Sequence, residues 1–256
     1  MATREARHIM RARTAEVVPF RRKRAERYCG FFVVTTCTGL GRAAVESSRI
    51  IRGLQIQPMH TGTRDKSNGY EAVAQHFIAI RDRSIGAATV REWARSLPPG
   101  AAVLDVGCGA GVPISQALIE EGCVVYGIDP SPTMVAAFRE RLRGVVACEA
   151  LEDSMFFNRS FDGVLAWGVM FLLDSGSQRL LIAKAARALL PGGRFLFTAP
   201  SQSCEWRDAL TGRPSISLGY DAYESLLRAE GFTLQATASD EGGNHYYFAT
   251  LTPKTR

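Results

Sequence analysis

A glycine-rich stretch constrains the fold of this 256-residue chain more than any other feature of its sequence. In V-L-D-V-G-C-G-A-G-V-P, residues 103–113, an apolar run leads to Asp105, and Gly107, Gly109 and Gly111 follow at alternate positions. Glycine has no side chain, so the backbone at these positions can come very close to a ligand. A helix that begins there adds free N–H groups and a partial positive charge. A plain strand-to-helix turn needs neither three alternate glycines nor an acid, so the stretch predicts a ligand-binding turn after a buried strand.

Strands and helices are predicted to alternate along the chain from this point. The apolar runs predict strands over 101–106, 123–129, 144–149, 161–167 and 194–199, and helices over 113–121, 132–142 and up to residue 190. Continuous apolar strands separated by amphipathic helices are typical of a parallel sheet that is covered on both faces. Two final strands, 232–239 and 245–252, have only a turn between them and must be antiparallel. The predicted fold class is α/β: a Rossmann-like, doubly wound sheet of seven strands, mostly parallel with an antiparallel last hairpin.

Two helices are predicted before the first strand. Ser67 and Asn68 can cap a helix over 70–81, and a second helix over 88–97 is stopped by prolines. We expect these two helices to form a lid on the sheet. The remaining predicted elements are a turn at 191–193, a loop over 200–213 and a helix over 220–230. The predicted organisation is a basic N-terminal extension over 1–60, cap helices over 61–100 and a Rossmann-like domain over 101–256.

The positive charge of the chain is concentrated in its first 60 residues. Residues 1–60 carry 12 Lys and Arg against four acids, while the other 196 residues carry 19 against 21. Three interpretations of this extension stay open: a poorly ordered tail or upstream stretch with Met59 as an internal start, an organelle transit peptide, or an arm that binds nucleic acid or an anionic membrane. The nearly neutral remainder lacks the basic surface that nucleic-acid binding needs, so we expect no nucleic acid on the core.

Composition is that of a soluble globular protein, with 46 % hydrophobic and 22 % charged residues. No apolar run approaches the roughly 20 residues that cross a bilayer, so no membrane association is expected for the core. The six cysteines show neither a CxxC pair nor a zinc-binding spacing, and no metal site is predicted. Scattered thiols of this kind favour a cytoplasmic location.

The spacing of the glycines separates two kinds of cofactor. A dinucleotide-binding turn has the pattern G-x-G-x-x-G, whereas here the pattern is G-x-G-x-G and position 112 is Val112. Asp105 would repel a pyrophosphate and attract a ligand that carries an ammonium group. The stretch resembles the first motif of the class I S-adenosylmethionine-dependent methyltransferases, and the resemblance extends over about residues 70–252. It implies S-adenosylmethionine as cofactor.

The resemblance implies roles for the residues of two motifs. The backbone of Gly107, Cys108, Gly109 and Gly111 would approach the methionine portion of the cofactor, and Asp105 would shape the loop near its amino group. In Y-G-I-D-P-S, Asp129 would accept hydrogen bonds from both ribose hydroxyls, and Met134 would pack on the adenine or simply in the core.

Other positions follow the same resemblance. Glu149, Ala150 and Leu151 match the adenine-binding segment, although the family usually has Asp where this chain has Glu149. The backbone of Trp167 would face the amino acid end of the cofactor, and Tyr70 and Arg81 would lie near its carboxylate. Three acids at this site, with no Lys or Arg expected near them, suit a cationic cofactor better than a phosphate-rich one.

Four residues are candidates for the acceptor side of the site. His245 is a candidate general base, with an ordinary hydrogen-bonding role in the last hairpin as the alternative. Tyr246 and Tyr247 alternate along a strand, so one of them, taken as Tyr246, can point at the pocket. Trp206 and Arg207 can stack on or clamp an acceptor, or merely fill their loop.

Missing motifs narrow the expected reaction. The chain has no [DN]-P-P-[FYW] after the fourth strand and no Pro-Cys nucleophile, which base-modifying methyltransferases use. The leading hypothesis is methyl transfer to an oxygen or nitrogen of a small-molecule acceptor, by in-line displacement. The alternatives are an RNA or protein methyltransferase recruited by the basic arm, a non-catalytic protein that binds the cofactor, and, more distantly, an NAD-dependent oxidoreductase.

Overall fold

The computed structural model describes residues 65–253. The helices are α1 (Tyr70–Ile80), α2 (Ala87–Arg95), α3 (Ile114–Glu120), α4 (Pro132–Arg141), α5 (Ser175–Ala188) and α6 (Tyr220–Ala229). The strands are β1 (Ala102–Val106), β2 (Val124–Asp129), β3 (Val145–Cys148), β4 (Phe161–Ala166), β5 (Leu189–Thr198), β6 (Cys204–Arg207), β7 (Pro214–Ser217), β8 (Phe232–Ser239) and β9 (His245–Leu251). The predicted N-terminal extension over 1–60 lies outside the described residues.

Seven strands form one sheet in the order β3-β2-β1-β4-β5-β9-β8. Strands β1 to β5 are parallel, and β9 runs antiparallel to both of its neighbours. This confirms the predicted fold class, including the antiparallel last hairpin. The chain leaves β1 toward β3 and returns on its other side at β4, so the strand order reverses at β1. In open α/β sheets, ligands bind beyond the carboxyl ends of the strands at such a reversal.

Both faces of the sheet are covered, as the continuous apolar strands predicted. Every residue of β1 is buried. Leu104 packs on one face in a cluster with Leu181 of α5, and Val103 packs on the other face in a cluster with Trp93 of α2. Helix α1 lies against α4, and α2 lies against α3.

Two segments differ from the sequence-based expectation. The segment expected as a turn at 191–193 lies within β5, because Leu189 and Arg194 both pair with β4 across an irregularity in the ladder. The segment expected as a loop over 200–213 contains β6, which pairs with β7 as a separate two-stranded sheet. Its strands are four residues long, too short to show a clear period in the sequence.

The start of α1 also differs in detail. Gly69, with φ of +86°, occupies the N-cap position. The hydroxyl of Ser67 still accepts a hydrogen bond from the Glu71 N–H at 3.0 Å, so Ser67 contributes to the cap as predicted. Across the part of the chain that the structure describes, no helix combines the length and apolar character needed to span a membrane.

Candidate functional site

A cavity lies at the carboxyl edge of the sheet, where the strand order reverses. Its lining contains all of the predicted cofactor residues except Ala150, namely Tyr70, Arg81, Asp105, Gly107, Cys108, Gly109, Gly111, Asp129, Met134, Glu149, Leu151 and Trp167. The structure thus brings together residues from α1, the glycine turn, β2, α4 and the turns after β3 and β4. Ala150 is buried beside the cavity.

The three glycines of the turn serve two different purposes. All have positive φ, +71° at Gly107, +54° at Gly109 and +79° at Gly111, which other residues adopt only with strain. A Cβ at Gly107 would lie 2.7 Å from Val169, and one at Gly111 would meet the ring of Phe138, so these two glycines permit close packing. A Cβ at Gly109 would meet no atom within 4 Å. Gly109 therefore leaves bare backbone facing the cavity.

Asp129 ties the glycine turn to the end of β2. One carboxylate oxygen accepts the Gly109 N–H at 2.9 Å and the other accepts the Ser131 N–H at 2.9 Å. Burial raises the pKa of Asp129 to about 6. Each oxygen keeps a free lone pair, so the carboxylate can still accept hydrogen bonds from a ligand.

Asp105 is a second buried carboxyl beneath the turn. It is 2 % exposed and accepts a hydrogen bond of 2.5 Å from the Ser115 hydroxyl of α3. Burial raises its pKa to about 7, and the neighbouring charge of Asp129 acts in the same direction. A cation placed beside it would favour the ionised form and lower that pKa.

Cations also line the cavity, contrary to the expectation that the three acids would have no Lys or Arg near them. The lining includes Lys66, Arg81, Arg83 and Arg141. Lys66 is engaged by Glu152 at 3.6 Å and Asp153 at 3.2 Å. Its charge is therefore largely balanced within the protein.

Glu71 is a contact that sequence reasoning missed. Its carboxylate accepts hydrogen bonds from the Ser131 hydroxyl and, at 2.7 Å, from the Thr133 hydroxyl. Ser131 and Thr133 lie at the start of α4, directly after Asp129. Glu71 therefore fastens the first turn of α1 to the segment that carries the predicted ribose-binding acid. No local pattern signals this pairing, because it depends on how α1 docks.

The opposite end of α1 carries Arg81. Its guanidinium lies 4.4 Å from the centre of the Trp167 ring and 5.6 Å from that of Phe77. Burial lowers the pKa of Arg81. The hydroxyl of Tyr70 donates to Asp208 at 3.0 Å, an acid between β6 and β7 that sequence reasoning did not connect to the site.

The four predicted acceptor-side residues do not line the cavity. Tyr246 is fully buried, with its hydroxyl between Trp167 and Asp240. The ring of His245 packs 5.0 Å from that of Tyr247, and its Nε2 is buried with no hydrogen-bond partner among the described residues. Burial lowers the pKa of His245.

Trp206 and Arg207 are held away from the cavity by the β6–β7 hairpin. The Trp206 ring lies 5.5 Å from that of Phe171, which itself lines the cavity. Arg207 donates to the Gly212 carbonyl at 3.1 Å. Because these residues belong to a separate small sheet, they stand behind the wall of the cavity.

Comparisons with known proteins bear on the domain and the fold. A family profile described as a methyltransferase domain matches residues 103–193. The chain is 27 % identical over 128 residues to a probable tRNA methyltransferase 9B of Bos taurus, which covers 50 % of this chain and 27 % of that protein. It is 33 % identical over 135 residues to a ubiquinone biosynthesis O-methyltransferase of Nitrobacter winogradskyi, which covers 50 % of this chain and 46 % of that protein. The match thus spans about a quarter of the first relative's length and less than half of the second's.

A solved structure shows the same fold. Magnesium protoporphyrin IX methyltransferase from Synechocystis PCC 6803, crystallised with bound S-adenosylmethionine, superposes with a TM-score of 0.59 at 17 % identity. The superposition covers 76 % of this chain and all of that one. Residues 103–193 thus match a methyltransferase domain, and the fold is that of a solved S-adenosylmethionine-binding methyltransferase.

Proposed function

We propose that this protein transfers a methyl group from S-adenosylmethionine to an oxygen or nitrogen of a small-molecule acceptor. The observation that carries the proposal is the hydrogen bond between the Asp129 carboxylate and the Gly109 N–H. This hydrogen bond holds the buried Asp129 carboxylate, with its free lone pairs, beside the bare backbone of Gly109, at the edge of the sheet where the strand order reverses. That pairing suits a ligand with vicinal hydroxyls and a polar tail.

The residues of the cavity fit the cofactor in distinct ways. Asp129 would accept the ribose hydroxyls, Met134 and Leu151 would pack on the adenine, and Glu149 would accept its amino group. Asp105 lies beneath the glycine turn, where a cation would favour its ionised form. When bound, the cofactor supplies a methyl group that is already activated by its sulfonium.

The protein's own contribution is alignment and exclusion of water. Correct positioning of two reactants can lower a barrier by about 7–11 kcal/mol in favourable cases. Part of the remaining wall is apolar, with Phe77, Ile78, Val169, Phe171, Leu172 and Leu173, and the rest includes Lys66, Arg83, Arg141, Glu152 and Asn244. The apolar part of the wall favours a small acceptor with an apolar body. His245 lies outside this lining, so positioning of the reactants, rather than that histidine as a base, would supply the catalysis.

A binding experiment on the full chain tests the cofactor. Isothermal titration calorimetry with S-adenosylhomocysteine, the demethylated product, should give saturable binding. Asp129→Asn removes one acceptor oxygen, and loss of hydrogen bonds to a charged group, at about 1.5–3 kcal/mol each, predicts at least tenfold weaker binding. Asp221→Asn, an exposed acid on α6, is the matched control. Binding of NADH with no response to S-adenosylhomocysteine would overturn the proposal.

RNA is the second candidate acceptor, because one relative is named a tRNA methyltransferase and residues 1–60 are basic. Transfer of labelled methyl from S-adenosylmethionine should be compared in metabolite extracts and in total tRNA. Label in small molecules supports the leading proposal. Label in tRNA that disappears when residues 1–58 are removed supports the alternative, and persistent binding without any transfer supports a non-catalytic role.

A further inference from the structure

Asp240 organises the tip of the last hairpin, on the carboxyl edge of the sheet. One of its carboxylate oxygens accepts the N–H groups of Gly242 and Asn244, each at 2.9 Å. The side-chain amide of Asn244 donates to both oxygens, at 3.0 and 2.8 Å. This many backbone and side-chain donors fix the position of the carboxylate.

Tyr246 extends this anchor toward the cavity. Its hydroxyl lies 2.7 Å from Asp240 and 2.7 Å from the Nε1 of Trp167. An indole N–H can only donate, so the Tyr246 oxygen accepts from Trp167 and its proton goes to Asp240. Both capacities of the hydroxyl are thereby used, and the direction of the chain from Trp167 to Asp240 is fixed. Burial raises the pKa of Tyr246, which keeps the hydroxyl protonated.

Trp167 connects this hydrogen-bonded chain to Arg81. The indole lines the cavity, and its ring carries the Arg81 guanidinium at 4.4 Å. Arg81 forms no salt bridge with any carboxylate in the described range 65–253. A partly buried cation without a paired acid can take up an anion from a ligand, and a planar guanidinium suits a carboxylate well.

We propose that Asp240 and Tyr246 are positioning residues, which hold the Trp167 ring and through it aim Arg81 at the carboxylate of the cofactor. The inference rests on the proposed binding of S-adenosylmethionine. Neither residue lines the cavity. Their effect therefore reaches the ligand through the side chains that they hold and, for Asp240, also through its charge near Arg81.

Two ligands and two adjacent tyrosines test this. Tyr246→Phe keeps the ring and removes both hydrogen bonds, so we expect S-adenosylhomocysteine to bind about tenfold more weakly. Methylthioadenosine lacks the amino acid portion, and its affinity should not change. Tyr247→Phe is the matched control, because the Tyr247 hydroxyl is buried with no hydrogen-bond partner among the described residues. It should leave both affinities unchanged.

The outcomes separate a positioning role from a structural one. Equal weakening of both ligands, or no weakening of S-adenosylhomocysteine, overturns the proposal while leaving the cofactor assignment intact. Failure of the wild-type protein to bind either ligand removes the proposed function and this inference with it. Asp240→Asn provides a second variant if Tyr246→Phe does not fold, because one amide cannot accept on both sides. It should show the same selective loss, at about threefold or more.

Discussion

Two groups of residues at the site are built in opposite ways. At one end, Asp105, Gly107, Gly109 and Gly111 come from one strand–turn–helix unit, and Asp129 holds them through a backbone hydrogen bond. At the other end, Arg81, Trp167 and the β8–β9 hairpin, which supplies Tyr246 and Asp240, come from three separate segments and meet only through side chains. We call these the local end, defined by 105–111 with Asp129, and the assembled end, defined by the four side chains.

The two groups of residues differ in how much a change should affect stability and how much it should affect ligand binding. The local end sits directly on β1 and packs on the core through Val169 and Phe138, so changes there should affect stability as well as binding. Trp167 and Tyr246 of the assembled end are also buried, but this end is ordered by side-chain contacts, so changes there should weaken ligand binding and lower stability only by the contacts that are lost. Helix α1 joins the two, with Glu71 against α4 at the local end and Arg81 on Trp167 at the assembled end.

The largest expected effect is the loss of stability in Gly111→Ala. A Cβ there would lie 2.7 Å from the Phe138 ring and would also contact Leu142, at a φ of +79°. Left-handed strain of about 1–2 kcal/mol and overpacking of about 1–3 kcal/mol together predict a loss of about 2–5 kcal/mol in the free energy of unfolding. Urea denaturation of the wild type and of Gly111→Ala measures this difference in the free energy of unfolding.

Gly109→Ala is the control within the same turn. Its Cβ would meet no atom within 4 Å, so only the left-handed strain of about 1–2 kcal/mol applies. The methyl group projects toward the cavity, and S-adenosylhomocysteine should bind at least about tenfold more weakly. Equal stability losses in the two variants would contradict the division of roles among the glycines.

This contrast also explains what the sequence could predict. The local end is encoded by a few consecutive residues, and Asp129 lies at the end of the next strand. The strand pattern alone therefore predicts that both lie at the same edge of the sheet. The assembled end depends on β9 lying beside β5, which brings Tyr246 opposite Thr198. Pairings of that kind depend on strand order and on helix docking, which a local pattern does not encode.

The acceptor-side residues illustrate the same limit. The alternation along β9 correctly places Tyr246 and Tyr247 in the clusters on opposite faces of the sheet. Tyr246 pairs with Thr198, the last residue of β5, yet both tyrosines are fully buried and neither lines the cavity. The period of a strand predicts which face a side chain takes, but not whether that side chain reaches a cavity.

A second effect, spread over several pH units, concerns the buried acid of the local end. The pKa of Asp105 is about 7 in the folded protein against an ordinary 3.8, so folding retains its proton. Its contribution to stability is therefore complete below pH 3.8 and is lost as the pH rises through about 7. Asp105→Asn keeps an acceptor for Ser115 and cannot titrate. Within this window, the wild type should lose about 1.4 kcal/mol per pH unit relative to the variant.

Denaturation at pH 4, 5, 6, 7 and 8 without ligand measures this difference. Comparing the two proteins at each pH cancels the other titrating groups. A difference that does not change with pH would show that Asp105 is already ionised in the folded protein. Saturating S-adenosylmethionine should then flatten the wild-type profile, because a nearby cation favours the ionised carboxyl.

The smallest expected effect lies on the helix that joins the two ends. Glu71→Gln leaves one acceptor oxygen for the two hydroxyls of Ser131 and Thr133, so α1 should dock less firmly on α4. We expect a loss of about 1 kcal/mol in the free energy of unfolding and about threefold weaker binding of S-adenosylhomocysteine. Glu92→Gln, an exposed acid on the neighbouring helix α2, is the control. Because Arg81 lies at the far end of α1, the affinity for methylthioadenosine should fall less than the affinity for S-adenosylhomocysteine. An equal loss of affinity for the two ligands would mean that α1 does not couple the local end to the assembled end.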